Sequence, residues 1–238
     1  MVRIDGRDNK DLRRVEIHPG FLEFAEGSAL VEMGKTRVIC SASIDETVPR
    51  FLRGQGKGWI TSEYGMLPRS TLSRISRERS SRGGRTMEIQ RLIGRSLRSI
   101  CDLDHVGERT ITLDCDVLQA DGGTRAAAIT GGYVALYQAF LGLVRGGLLG
   151  GVPLRSEVAA VSVGSVDGEL LVDLCYQEDA RASVDFNVVM SGTGEFIELQ
   201  GTGEERPFRR DELENMLALA SDAIQELILI QQSALRGL

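Results

Sequence analysis

The sequence predicts a mixed α/β protein of the α+β type, built from two lobes in which mixed sheets and helices pack together. Strand-like runs and helices follow one another in each half of the 238-residue chain. In the second half, four strand patterns come in succession, which indicates an antiparallel portion. The apolar segment 126–144 has the length and composition of a core helix. We place the first lobe at residues 1–150 and the second at 151–238, as one compact unit.

The first lobe begins with strand-like runs at residues 14–17, 29–33 and 37–43, and continues through a Gly-rich stretch and a short run over 54–63. A basic loop leads to a helix over about 86–101. The apolar stripe of this helix lies opposite Arg91, Arg95 and Arg98, which are either interface contacts or solvated residues. Strict alternation over 110–118 predicts a half-buried strand.

The second lobe has strand patterns at residues 158–164, 169–176, 184–190 and 195–199. A closing helix follows over about 211–235. Asp211 and Glu214 have the spacing of a residue that caps the helix N-terminus and its capping-box partner.

Composition places the chain among ordinary soluble proteins, with 42% apolar and 26% charged residues. The N-terminus is charged from its third residue and lacks the apolar region of a secretory signal, so we expect a cytoplasmic protein. Segment 126–144 is long enough to cross a bilayer, but it contains glycines and polar residues, so we expect no membrane partner. The cysteines are far apart, which predicts buried free thiols without a zinc site: Cys40, Cys101, Cys115 and Cys175.

Positive charge is concentrated in residues 50–98, which contain twelve Lys or Arg against three Glu, a net charge of +9. The rest of the chain has 16 basic and 31 acidic residues, a net charge of −15. A polyanionic partner such as RNA explains this segregation, because Lys and Arg contacts to phosphates dominate nucleic-acid affinity. A solvated arginine-rich face or a subunit interface is the alternative. The loop arginines are Arg69, Arg74, Arg77, Arg79 and Arg82.

Two Gly-rich turns stand directly before helices. One is Gly122, Gly123, Thr124 and Arg125, and the other leads through Gly84 into Arg85. Backbone N–H groups and the positive end of the helix dipole attract an anion at such a point, and the hydroxyl and guanidinium groups suit phosphate. Both turns can also be ordinary loop-to-helix junctions.

Three aspartates lie close together in the second lobe: Asp173, Asp179 and Asp185. Asp173 falls inside a predicted alternating strand, where its side chain faces solvent. Asp179 and Asp185 flank a turn and converge on one edge, where carboxylates are good Mg²⁺ ligands. Capping of the turn is the structural alternative.

Other catalytic devices fit the sequence poorly. Gly34, Lys35 and Thr36 look like the end of a P-loop, but Ala29 stands where that motif needs glycine. With two histidines in the chain, a Ser-His-Asp or Cys-His arrangement has little support.

Long stretches carry a family resemblance: VPRFLRGQGKGWITSEYGMLPRST, GGRTMEIQRLIGRSLR, GERTITLDCDVLQADGGTRAAAITG, DFNVVM and EFIELQGTGEERPF. Over nearly its full length, the chain resembles the bacterial ribonuclease PH family of phosphate-dependent tRNA nucleotidyltransferases. The resemblance implies two related βα lobes, like the second domain of ribosomal protein S5. It also implies a homohexamer built as a trimer of dimers.

The resemblance assigns roles to the residues above. It implies that phosphate binds to Arg85, Gly123, Thr124 and Arg125. It implies that Asp179 and Asp185 serve in catalysis and hold Mg²⁺, without deciding which of them protonates the leaving oxygen. It also implies that tRNA binds to Arg69, Arg74 and Arg77.

The expected function is therefore phosphorolytic 3′→5′ trimming of tRNA precursors, with phosphate as the nucleophile and nucleoside 5′-diphosphates as products. One alternative is a non-catalytic RNA-binding subunit of an exosome-like ring. Another is a hydrolytic metal-dependent nuclease, which would use water and need no anion-binding turns.

Overall fold

Two β-sheets, one in each half of the chain, form the framework of the protein in a computed structural model that describes residues 3–77 and 83–238. Arg79 and Arg82 of the predicted basic loop lie outside the described residues. The sheets are joined by a long helix between them, so that one continuous hydrophobic core includes residues of both.

The first sheet has five strands: β1 (Val15–Pro19), β2 (Gly27–Met33), β3 (Thr36–Asp45), β4 (Trp59–Met66) and β5 (Thr110–Gln119). Their spatial order is β1-β2-β3-β5-β4, with β4 parallel to β5 and the other pairs antiparallel. The alternation predicted for β5 is confirmed, because Ile111, Leu113, Cys115 and Val117 are all buried. A 3₁₀ turn, Arg50–Leu52, precedes β4.

The second sheet is antiparallel, with strands β6 (Val158–Val166), β7 (Glu169–Val172), β8 (Ala182–Ser191) and β9 (Phe196–Gly203). Their order is β7-β6-β8-β9. The prediction that the second strand continues to residue 176 is wrong. The chain leaves the sheet at Asp173, whose φ of 53° lies in the left-handed region and ends the extended conformation.

Helices cover both sheets. Within residues 3–77 and 83–238 they include α1 (Gly84–Ser99), the short α2 (Leu103–Val106), α3 (Thr124–Arg145), the one-turn α4 (Tyr176–Asp179) and α5 (Arg210–Leu235). Helix α3 packs against β2, β3 and β6, and α5 packs against β1, β6 and β8. Helix α3 is long and apolar enough to cross a membrane. However, 72% of its most apolar 18-residue segment is buried inside the protein.

The arginines on α1 make contacts within the chain. Arg95 forms an ion pair with Glu198 of β9 at 2.6 Å. The guanidinium of Arg98 lies 4.4 Å from the centre of the Trp59 ring, in a cation–π contact. Arg91 and Arg95 are both exposed, so the solvated alternative describes these two residues, of which Arg95 is also ion-paired.

Two local predictions need correction. Helix α5 begins one residue earlier than expected, and its first turn is capped by Glu212, which accepts the N–H of Arg209 at 2.9 Å. The proposed pair of Asp211 and Glu214 does not form this cap. Among the cysteines, all four are free thiols, but Cys175 is only partly buried because it stands at the start of α4.

Candidate functional site

The turn before α3 is shaped by two glycines. Gly122 and Gly123 have φ values of 77° and 66°, which residues with a side chain rarely adopt. A Cβ atom on Gly122 would lie 2.4 Å from the carbonyl oxygen of Leu174, so glycine alone permits this close approach. Ala127 donates the first backbone hydrogen bond of the helix, to Gly123. The preceding N–H groups of the first turn therefore remain available to an anion.

This turn opens into a cleft of about 990 Å³ between the two halves of the chain. The cleft brings together all six residues predicted for phosphate, metal and catalysis: Arg85, Gly123, Thr124, Arg125, Asp179 and Asp185. They come from the first turns of α1 and α3, the end of α4, and β8. Two separate elements thus present a guanidinium group to one space, opposite a pair of carboxylates.

Side chains already inside the cleft orient the cationic and hydroxyl groups. Arg125 donates from Nη1 to the side-chain oxygens of Gln200 at 2.8 Å and Glu88 at 3.3 Å. The hydroxyl of Thr124 is 2.8 Å from the hydroxyl of Tyr64, whose ring is buried. Both groups are therefore held at the helix N-terminus before any ligand arrives.

The two cleft aspartates influence each other. Desolvation, reinforced by the charge of Asp179, raises the pKa of Asp185 to about 6. Desolvation also raises the pKa of Asp179, against the opposing charges of Arg85 and Arg125. In both residues the loss of hydration outweighs the attraction of Arg85 and Arg125.

One oxygen of this pair is suited to a cation. Oδ1 of Asp185 is buried and has no hydrogen-bond partner among the described residues. A buried acceptor without a partner costs free energy, and a divalent cation bound there would remove that cost. Carboxylate oxygens are the ligands that Mg²⁺ prefers, so Asp179 and Asp185 fit a magnesium ion.

Asp173 has a different place from the other two aspartates. Its side chain is only 1% exposed, so the prediction that it faces solvent is wrong. The carboxylate accepts hydrogen bonds from Nη2 and Nε of Arg13, at 2.7 and 2.9 Å. Arg13 also donates to the carbonyl oxygen of Asp121, which directly precedes the glycine turn. Through Arg13, Asp173 therefore holds the glycine turn in position without lining the cleft.

A second buried ion pair supports α4. Nη2 of Arg3 lies 2.7 Å from Oε2 of Glu178, and both residues are buried. Glu178 also accepts the N–H of Cys175 at the start of the helical turn. This pair holds the segment that carries Asp179.

The predicted RNA-contacting arginines lie beside the cleft. Arg69, Arg74 and Arg77 are exposed and do not line it. Their loop does contribute to the cleft wall, through Thr71, Leu72, Ser73 and Ile75.

Several cleft residues were missed in the sequence: Tyr176, Asn187, Gln200, Thr202 and Glu204. The register of β8 and β9 explains some of them, because it pairs Asp185 with Thr202 and Asn187 with Gln200. Alternate polar residues on β8 are the signal that could have indicated this polar face.

Comparison with known proteins gives consistent matches over both lobes. Residues 11–141 match the model of the 3′ exoribonuclease family, domain 1, and residues 156–223 match domain 2. The chain is 58% identical over 237 residues to Ribonuclease PH of Moorella thermoacetica, covering 99% of this chain and 95% of that protein.

Solved structures share the fold at lower identity. The crystal structure of rice Rrp46 has a TM-score of 0.79 at 21% identity, covering 98% of this chain and 100% of that one. A chain of the Archaeoglobus fulgidus exosome with RNA bound to the active site has a TM-score of 0.81 at 22% identity, covering 94% and 91%. These similarities support the predicted arrangement of two lobes.

Proposed function

Because the chain belongs to the 3′ exoribonuclease family, we propose that its cleft binds inorganic phosphate next to the 3′ end of an RNA strand. The protein is a phosphorolytic 3′→5′ exoribonuclease of the nucleotidyltransferase class. The observation that supports this site is the convergence of Arg85, Thr124 and Arg125 with two carboxylates in one cleft.

The reaction needs no covalent intermediate with the protein. An oxygen of inorganic phosphate attacks the phosphorus of the last phosphodiester bond, and the bond to the 3′ oxygen of the preceding nucleotide breaks. The last nucleotide leaves as a nucleoside 5′-diphosphate, and the shortened RNA takes up a proton at its new 3′ hydroxyl.

The chain's own groups supply position and charge for this step. Arg85, Arg125 and the N–H groups at the start of α3 hold the attacking phosphate and offset its charge. The hydroxyl of Thr124 adds a donor whose orientation Tyr64 restricts. Fixing both reactants in one geometry lowers the barrier without new chemistry on the protein.

Asp179 and Asp185 are the proposed catalytic carboxylates and the ligands of Mg²⁺. When bound, the ion would offset negative charge on the two phosphates. The unpartnered oxygen of Asp185 supports this assignment. One of the two carboxylates supplies the proton to the leaving 3′ oxygen, and comparison of pH–rate profiles for Asp179→Asn and Asp185→Asn would identify which one.

The proposed substrates are tRNA precursors with extra nucleotides at their 3′ ends, in the cytoplasm. Arg69, Arg74 and Arg77 lie beside the cleft, in the window of net charge +9, and would contact the tRNA backbone away from the reacting bond. We also propose a homohexamer, a trimer of dimers. Sedimentation of the 25.9 kDa chain should give a species of about six protomers, and a monomer would contradict this.

The deciding experiment incubates the full chain with Mg²⁺ and a tRNA that carries extra 3′ nucleotides, with and without inorganic phosphate. We expect nucleoside diphosphates that form only when phosphate is present. Nucleoside monophosphates would indicate hydrolysis. No cleavage by the wild-type chain would favour a non-catalytic RNA-binding subunit.

Arg125→Ala serves as the matched variant, because it removes a phosphate contact but leaves the basic loop intact. It should abolish turnover and keep most of the tRNA affinity.

A further inference from the structure

Tyr176 is an exposed aromatic residue inside the cleft. It is the first residue of α4 and is 55% exposed. Among the described residues that line the cleft, it is the single aromatic one. An exposed ring that lines a polar cleft is available to contact a ligand bound there, with an apolar face and a polar hydroxyl.

The backbone that carries the ring is held in place. The N–H of Tyr176 donates to Oδ1 of Asp121 at 3.3 Å, which ties it to the glycine turn. Two residues later, Glu178 is fixed by its buried ion pair with Arg3. A ring on a fixed backbone has few torsions to lose, so it can bind a flat ligand at a small entropic cost.

The ring and a catalytic carboxylate occupy the same cleft. Tyr176 and Asp179 are three residues apart on one helical turn, a spacing that puts both on one side of a helix. Both line the cleft that contains Arg125. A nucleotide whose phosphate lies near the arginines can therefore place its base against the ring within the same cleft.

We propose that the ring of Tyr176 is the platform on which one base near the 3′ end of the RNA stacks. This inference rests on the proposed function and adds a residue that positions the substrate. Every base has a π face, so stacking tolerates any sequence. An enzyme that removes successive nucleotides needs this tolerance, because each cycle brings a new base to the same place.

The platform has a specific kinetic signature. Loss of base stacking should raise KM for RNA about 5-fold to 100-fold, the range found when aromatic platforms for single strands are removed. KM for inorganic phosphate should not change, because the phosphate contacts come from α1 and α3. Tyr176→Phe retains the ring and should behave like the wild type, whereas Tyr176→Ala and Tyr176→Leu should both raise KM.

The test pairs these variants with RNA oligonucleotides that lack one base at each of the last four positions in turn. For the wild type, we expect one abasic position to raise KM as much as Tyr176→Ala does with intact RNA. At that position the substitution should have no additional effect, because the ring has no base to stack on. Gln177→Ala, an exposed change on the same turn, serves as the control and should leave KM for RNA unaltered.

Three results would overturn the stacking proposal. They are an unchanged KM for RNA in Tyr176→Ala, a KM for RNA in Tyr176→Phe as high as in Tyr176→Ala, or effects of the substitution and the missing base on KM that add at every abasic position. Each is measured with the wild type active in the same assay. If the wild type itself releases no diphosphates with phosphate present, the proposed function fails instead. Melting curves and KM for phosphate identify a variant that has lost its fold, and the Leu variant then replaces the Ala variant in the comparison.

Discussion

Arg13 and Asp173, which are 160 residues apart in the chain, form a buried ion pair with Nη2 and Oδ1 at a distance of 2.7 Å. The pair joins the segment before β1 to the end of β7. Arg13 also bonds to the carbonyl oxygen of Asp121, so the glycine turn of the phosphate site rests on this pair. Stability and phosphate binding are therefore linked through a residue that does not enter the cleft.

Breaking this pair should be costly. Asp173→Asn leaves the Arg13 guanidinium buried without its counter-charge, and removal of one partner of a buried pair typically costs about 3–5 kcal/mol. Urea unfolding measures this loss of free energy. The exposed pair of Arg209 and Asp211 provides the control, and Asp211→Asn should change the midpoint very little. Equal losses for the two variants would contradict the structural role of Asp173.

The same pair should make stability depend on pH. Desolvation opposes ionisation of Asp173, yet the charge and hydrogen bonds of Arg13 outweigh it and lower the pKa below the ordinary value. A lowered pKa in the folded state gives stability that is complete above the unfolded pKa of about 3.9 and is lost as the pH falls towards the folded value.

The free energy of unfolding should accordingly decrease below about pH 5, as is usual for ion-paired carboxylates. Asp173→Asn should reduce the slope against pH by up to about 1.4 kcal/mol per pH unit, the equivalent of one proton. Glu178 has a lowered pKa for similar reasons, since its bonds to Arg3 outweigh desolvation, so part of the slope should remain. An unchanged slope in the variant would show that Asp173 does not titrate in this range.

The sequence identified the anion turns and the carboxylate pair because their signals are local. Glycines before a helix and aspartates near a strand end can be recognised without knowledge of the fold. The partnership of Arg13 with Asp173 depends on contacts across the whole chain, so no local pattern could reveal it.

The error at residues 173–176 has a specific cause. An apolar run that alternates with polar residues resembles a strand, but the left-handed backbone of Asp173 ends it and begins the turn that leads to Tyr176. The cleft position of Gln200 likewise depends on the register between β8 and β9, which a pattern within one strand does not determine.

Tyr64 should affect phosphate binding through Thr124. Tyr64→Phe removes the hydroxyl that lies 2.8 Å from Oγ1 of Thr124. A hydrogen bond of this kind contributes about 0.5–1.5 kcal/mol, so we expect KM for phosphate to rise about 2-fold to 10-fold while KM for RNA stays constant. Tyr133→Phe, at a buried tyrosine of α3 outside the cleft lining, is the matched control. A change confined to KM for RNA would contradict the proposed orienting contact.

The basic loop should bind RNA through phosphates. Changing Arg69, Arg74 and Arg77 together to Ala should weaken tRNA binding and reduce the slope of log affinity against log salt by about 1–3, because each lost phosphate contact contributes about 0.9. Filter binding at several salt concentrations measures both quantities. A triple variant of the exposed Arg14, Arg209 and Arg210 removes equal charge elsewhere. If the slope of log affinity against log salt decreases equally in both triple variants, the effect comes from total charge and the loop has no special role.

Gly122 should tolerate no side chain. In Gly122→Ala, the new Cβ would lie 2.4 Å from the carbonyl oxygen of Leu174 and 2.8 Å from the carbonyl carbon of Cys175, and neither backbone atom can move without disturbing α4. Gly168→Ala separates this clash from conformational strain, because Gly168 has a φ of 85° but open space around it. The control should lose about 1–2 kcal/mol from its positive φ alone. We expect Gly122→Ala to lose clearly more stability and to raise KM for phosphate; equal losses in the two variants would mean that the turn can relax away from α4.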